Sequence, residues 1–230
     1  MKTRKELKDE AKAALSGNWG WAAALSIIPY LVLMLAFFMI ISLIGLFSYV
    51  GGSNDSTELV GVSLFLIIAV YILFLLVFLG ISVSISSSFL DLIRGKKSEL
   101  MPAATYAFKQ GRYGKFFTNS LMVAVFTYLW SLLFTIPGLI KTYSYALSTY
   151  IVKDDLDQGR PVSATSAITK SRQLMDGYKW DLFVLGLSFL GWEILASLTL
   201  GIGYIWLAPY ISATYAAFYD DLIQNQQQPA

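Results

Sequence analysis

The residues able to do chemistry are few, and most of them are aspartates. Asp154/Asp155 and Asp220/Asp221 are paired in "KDDL" and "YDDL", and Asp91 stands alone in "SFLDL". Paired carboxylates offer oxygen ligands to a divalent cation, but nothing beside them completes a coordination set, so no metal is expected. Histidine and cysteine are both absent. That removes the commonest general base, the commonest neutral metal ligand and every thiolate or disulfide. "GLSFLG" (Gly186 to Gly191) has one residue too many for the G-x-S-x-G hydrolase elbow. Ser82, Ser84, Ser86, Ser87 and Ser88 crowd one apolar run. They would line a polar path or, more ordinarily, hydrogen-bond to their own helix or a neighbour. No phosphate-binding G-x-x-x-x-G-K-[ST] occurs. The expectation is a protein that is not an enzyme, with no cofactor and no nucleic-acid partner.

The elements that must position these groups are apolar. Of 230 residues, 56% are hydrophobic and only 14% charged, with a mean hydropathy of +0.60. The excess is gathered into Trp21 to Val50, Leu59 to Leu90, Phe116 to Ile136 and Leu182 to Ala208. Runs of about 18 or more apolar residues read as membrane spans. The first run is too long for the core of a cleavable signal, so it is expected to stay.

The cations set the topology. Five of the 17 Lys and Arg residues precede Trp19, six lie from Arg94 to Lys115, five from Lys153 to Lys179, and Lys141 stands apart. Basic segments stay in the cytoplasm, so these three share a side. Between them the chain goes out and back, turning at "GGSNDSTE" (Gly51 to Glu58), "TIPG" (Thr135 to Gly138) and "LGIGY" (Leu200 to Tyr204). The expected fold is an all-α, multi-pass cell-membrane domain with six transmembrane helices as three hairpins and both termini cytoplasmic. The units are approximately 1–92, 100–156 and 162–223, with a polar cytoplasmic tail over 224–230. The fourth and sixth spans are short, about 15–18 residues against the usual ~20.

Each unit opens with a short amphipathic interfacial helix. Leu7, Ala11, Ala14 and Leu15 form the first apolar stripe; Ala104, Ala107 and Phe108, after Pro102, the second; Ala164, Ala167, Ile168, Ser171, Leu174 and Met175, capped by Ser163, the third. Gly17, Gly111 and Gly177 end them. Aromatic anchors follow at Trp19, Trp21, Tyr113, Tyr178 and Trp180, where rings meet the headgroup level, and neighbouring cations face anionic lipid heads. The exits echo one another in "SYALSTY" and "PYISATY", followed by "KDDL" and "YDDL". That suggests internal repetition.

Asp91, Asp154, Asp155, Asp220 and Asp221 end helices whose dipoles they oppose. They are expected to form a cytoplasmic ring of ion pairs with entry cations such as Arg112, Lys115, Arg172 and Lys179. Glu193 lies near the middle of the fifth span, where an ionised carboxylate is costly. It is expected to mark a cavity with Trp192, Lys141, Tyr145 and Tyr210.

"EAKAALSGNWGWA", "ALSTYIVKDD", "AITKSRQLMDGYKWDLFVLGLSFLGW" and "LTLGIGYIWLAPYISATYAAFYDDL" together resemble the domain-of-unknown-function 975 family, small integral membrane proteins of Gram-positive bacteria. From Pro29 to Leu90 the chain is similar only in being apolar. The resemblance implies a multi-span membrane protein and supplies no activity, catalytic residue or ligand. Two functions fit. One is a non-catalytic module that contacts the lipid bilayer and binds an unknown protein or peptide partner or an envelope lipid, in protection against membrane-active agents. The other is a small transporter or flippase using a cavity between the hairpins. Ionisable groups inside the spans would favour transport, and Glu193 alone lies deep.

Overall fold

The computed structural model describes residues 1–51 and 57–227, and all regular structure among them is helical. In chain order the helices are α1 (Arg4–Leu15), α2 (Trp19–Gly51), α3 (Thr57–Ile93), α4 (Leu100–Ala104), α5 (Arg112–Leu133), α6 (Thr135–Tyr145), α7 (Ser148–Asp157), α8 (Ser166–Leu174), α9 (Lys179–Leu187), α10 (Leu190–Leu198) and α11 (Tyr204–Gln227). A 3-10 turn, Tyr106–Phe108, lies between α4 and α5. The expected loop Gly51 to Glu58 is helical at both edges, and its residues 52–56 lie outside the described residues.

Four segments are long and apolar enough to cross a membrane: Trp19–Tyr49, Val60–Ile93, Arg112–Leu133 and Lys179–Leu198. By this measure two of the six expected spans, the fourth and the sixth, are not among them. The fourth expected span is two pieces, α6 of 11 residues and α7 of 10, interrupted at Ala146–Leu147. The sixth is α11, 24 residues long but carrying four tyrosines, Pro209 and two aspartates. The expected polar tail is still helical through Gln227.

Packing is concentrated at one end of the bundle. Leu7, Leu15, Phe89, Leu90, Phe116, Leu147, Val152, Met175 and Phe218 are fully buried there. The far halves of α2 and α3 instead leave Leu31, Leu35, Phe38, Phe65, Ile68 and Leu73 exposed. A helix apolar on all sides and unburied by its own protein suits lipid. The end that carries the ion pairs is thus the packed one.

The entry helices dock rather than lie free. Helix α1 has a capping box: the Glu6 amide donates to Thr3 Oγ1 at 3.3 Å, and the Thr3 amide donates to Glu6 Oε2 at 2.6 Å. Its buried stripe is Leu7, Ala11 and Leu15, and it packs along α11. In α8 the stripe is Ala167, Ile168, Ser171 and Leu174; Ala164 is exposed and outside the helix, which begins after Thr165 rather than after Ser163. Gly17, Gly111 and Gly177 have φ of 75°, 67° and 83°. A left-handed residue lets each entry stop and the next helix begin in a new direction.

The serines of α3 serve packing. Ser84 Oγ donates to the Gly80 carbonyl at 2.7 Å and accepts from the Ala107 amide at 2.9 Å. Ser88 Oγ donates to the Ala103 carbonyl at 3.1 Å. They tie the second entry segment to α3.

The turn expected at Thr135 to Gly138 is a single residue earlier. Phe134 is extended (φ −160°, ψ 147°), and α6 starts at Thr135. Pro137 falls in the first helical turn, where its missing N–H costs nothing. Gly138 is a packing glycine: a Cβ there would strike Ser131 Oγ and lie 2.9 Å from Ser131 Cα. Gly80 is similarly covered, by the Phe108 ring with Cε2 at 2.8 Å, but a ring can swing away and a backbone cannot. Gly138→Ala should therefore destabilise by about 1–3 kcal/mol through overpacking, exceeding the ~0.5–1 kcal/mol helix gain. Gly80→Ala should cost less. Thermal unfolding in mild detergent checks the order; an equal or reversed order would contradict the close approach.

Candidate functional site

Two features gather the polar chemistry. The first is a plate of ion pairs at the packed end. Arg94, just beyond α3, donates Nη1 and Nη2 to the two carboxylate oxygens of Asp154 at 2.5 and 2.9 Å, and Nε to Asp220 Oδ1 at 2.7 Å. One guanidinium thus joins the end of α3 to the last turn of α7 and to α11. Tyr219 donates its hydroxyl to Asp154 at 2.8 Å. Lys153, only 1% exposed, reaches Asp91 and Asp157 at 2.7 Å each. Asp157 also accepts from Tyr106 Oη at 2.6 Å and Arg112 Nη1 at 2.8 Å. The buried Asp155 takes Arg160 at 2.6 Å and Lys170, from α8, at 2.7 Å. Asp221 accepts the backbone amide of Lys2 at 2.9 Å.

Every exit aspartate expected in a ring is therefore partnered, but mostly by other cations. Of the four expected, Arg112 joins, through Asp157. Lys179 meets only the exposed Asp176 at 3.8 Å. Lys115 and Arg172 form no ion pair among the described residues. Arg94, Lys153, Asp157, Arg160 and Lys170 were not singled out. The register of the exits carries the signal. Asp91, Asp155 and Asp221 each precede leucine, and "DLIRGK" and "DLDQGR" close alike: the Lys96 amide donates to the Asp91 carbonyl and the Arg160 amide to the Asp155 carbonyl, both at 2.7 Å. In that register Arg94 falls where the other exits have Gln158 and Gln224, so it is the one cation available at that level. Phe89, Lys153 and Tyr219 share the preceding buried position.

Burial opposes the charge on Arg94, but its hydrogen bonds to Asp154 and Asp220 outweigh this and raise its pKa. Burial would raise the Asp157 pKa, yet hydrogen bonds from Lys153, Tyr106 and Arg112 hold it below its ordinary value. No group of three acidic residues among those described is arranged to hold a metal ion.

The second feature is a cavity of about 630 Å³ between α1, α10 and α11, walled by Trp19, Trp192, Trp206 and Tyr210, with Lys8 and Lys12 at its edge. Phe189 stands edge-on to Tyr210, centroids 5.3 Å apart.

A family model described as "Protein of unknown function (DUF975)" matches residues 1–148 and 135–226. The chain belongs to this family. No curated protein and no solved structure matches it. The plate and the cavity of this DUF975 protein both fall within the matched residues.

The cavity expected around Glu193 is divided by the structure. Trp192 and Tyr210 line the aromatic cavity. Glu193 is half-buried, and its backbone carbonyl accepts from Tyr204 Oη at 3.3 Å. Lys141 stands 4.5 Å over the Trp130 ring, and Tyr145 is buried beside Phe126. Glu193 and Lys141 form no ion pair among the described residues. Among the expected anchors, Trp180 is 70% exposed. Trp19 lines the cavity, and Trp21 packs edge-on against Phe89 at 6.1 Å. Tyr113 donates to the Leu76 carbonyl at 2.8 Å, and Tyr178 packs partly buried on the core.

Removing one partner of a buried pair leaves the other uncompensated, typically at 3–5 kcal/mol. Arg94→Met should approach that loss, and Arg94→Lys, unable to fork between two carboxylates, should fall between it and wild type. Unfolding in detergent checks this; a Met variant as stable as wild type would contradict it. Because the folded Asp157 pKa lies below the unfolded value of ~3.9, its stabilisation is complete above that pH and lost as pH falls through the folded pKa. Asp157→Asn should be less stable at pH 7 and lose less stability on acidification, which unfolding midpoints from pH 7 to 3 would reveal.

Proposed function

We propose that this DUF975 protein is a non-catalytic, multi-pass cell-membrane protein that binds an envelope component through its aromatic cavity, in protection against membrane-active agents. The chain makes three out-and-back excursions built from related units, six crossings in all, with both termini cytoplasmic. The observation that carries this is the division of the bundle. Entries and exits meet in one ionic plate, as Arg112 meets Asp157 and Arg94 meets Asp154 and Asp220, while the long helices beyond are apolar on all sides. Cations on the plate side accord with a cytoplasmic face. Binding rather than turnover suits the chemistry: the acids and bases of the plate neutralise one another, and the cavity offers aromatic walls and two lysines.

The cysteine-free sequence suits single-cysteine labelling with an impermeant thiol reagent. Phe134→Cys and Leu200→Cys should react from outside; both native side chains are exposed, Leu200 at 96%. Cysteines at Lys97, Gln158 and Gln226 should react only after permeabilisation. Protection of Leu200→Cys with labelling of Phe134→Cys would make α9–α11 re-entrant and remove the fifth and sixth crossings. Gentle-detergent purification followed by mass spectrometry should find a lipid, peptide or protein retained in fixed proportion. Loss of all of them without loss of the fold would count against binding.

A further inference from the structure

The aromatic cavity carries more than a general binding role. Its cations come from one face of α1. Lys8 Nζ donates to the Ser188 carbonyl at 3.2 Å and lies 4.2 Å from the Phe189 ring centroid. Lys12 Nζ stands 5.7 Å from the Tyr210 centroid. Neither forms an ion pair among the described residues. Arg4 and Lys5 line the adjoining groove of about 560 Å³, where Asp9 is the only acid. The other acids of α1 are engaged: Glu6 caps Thr3, and Glu10 pairs with Lys2 at 2.9 Å. Partial burial, with Lys12 and Arg4 nearby, already lowers the proton affinity of Lys8, so a bound anion would relieve the strain of like charges.

The opposite wall is apolar and open. Trp192, Leu195 and Trp206 remain exposed, and they continue into the exposed Leu198 and Leu200 beyond. A soluble anion would use the lysines and leave that wall bare. A phospholipid uses both: phosphate at the cations, glycerol beside indole rings that favour headgroup depth, acyl chains along α10. Two unpaired lysines favour a net negative lipid over a zwitterionic one.

We propose that the cavity between α1, α10 and α11 holds one anionic phospholipid, its phosphate on Lys8 and Lys12, its glycerol beside Trp192 and Trp206 and its chains along α10. This deepens the binding reading above and rests on it. The full-length protein, purified in a mild non-ionic detergent, is titrated with phosphatidylglycerol, phosphatidylcholine or inorganic phosphate, and followed by native mass spectrometry and thermal unfolding. Phosphatidylglycerol should bind at one equivalent and raise the midpoint saturably, with at least tenfold higher affinity than phosphatidylcholine. Inorganic phosphate should have no comparable effect. Lys8→Gln with Lys12→Gln should weaken phosphatidylglycerol at least tenfold, and Lys8→Arg with Lys12→Arg should keep its affinity. Lys115→Gln, which removes an exposed cation elsewhere, should bind as wild type. Equal affinity in the double Gln variant, equal binding of phosphatidylcholine, or phosphate acting as well as the lipid would each overturn the site. Failure of this site with another ligand still retained on purification would leave the general binding role standing.

Discussion

One guanidinium has to satisfy two buried carboxylates on two different helices, and the arrangement of the bundle follows from that. Asp154 lies in the last turn of α7, where the helix dipole already disfavours negative charge, and Asp220 lies seven residues before the end of α11. Both are buried. Neither tolerates that position without a cation, and Arg94 reaches both because its planar fork presents donors in two directions. The end of α3, the last turn of α7 and α11 are thereby fixed relative to one another. The plate around Arg94 extends the constraint through Lys153, Asp157 and Arg112 to the start of α5, and through Asp155 and Lys170 to α8.

This division of labour suits a membrane protein. In lipid, apolar helices gain little by packing on one another, because the surrounding chains are as apolar as they are. The far halves of α2 and α3 are correspondingly unpacked. Specific association falls to the polar end, where hydrogen bonds, ion pairs and a conventional hydrophobic core operate together. The short entry segments belong to that core. Ser84 and Ser88 hold α4 and the 3-10 turn against α3, and Ser171 of α8 donates to the Ser144 carbonyl at 2.8 Å. Helix α1 buries Leu7, Ala11 and Leu15 and turns its lysines toward the aromatic cavity, so docking and the charge of that cavity share one helix.

Much of this was legible because it depends on local chemistry. The long apolar runs, the entry glycines and the exit aspartates are read directly from composition and spacing. What could not be read depends on which helices meet. Gly138 looks like a turn residue beside Pro137, but its role is to admit Ser131 of α5, a contact made across the hairpin. Cations near the entries were reasonable partners for the aspartates, yet Arg94 and Lys153 lie on the exits themselves and reach sideways to other exits. Glu193 suggested a centre because it is a deep charge, whereas the cavity is lined by the residues on either side of it, Trp192, Leu195 and Ala196. The short spans at α6–α7 and α11 rest on charge alternation, which counts returns to one side and is blind to how much of each return is apolar.

The coupling between Arg94 and Asp220 tests the central claim most directly. In a double-mutant cycle, Arg94→Met, Asp220→Asn and the combined variant are compared with wild type by reversible unfolding in the same detergent. Contacting residues in one network couple by about 0.5–3 kcal/mol, so the combined variant should be more stable than the sum of the single losses implies. Additive losses, with coupling near zero, would mean that Arg94 does not hold the exits together.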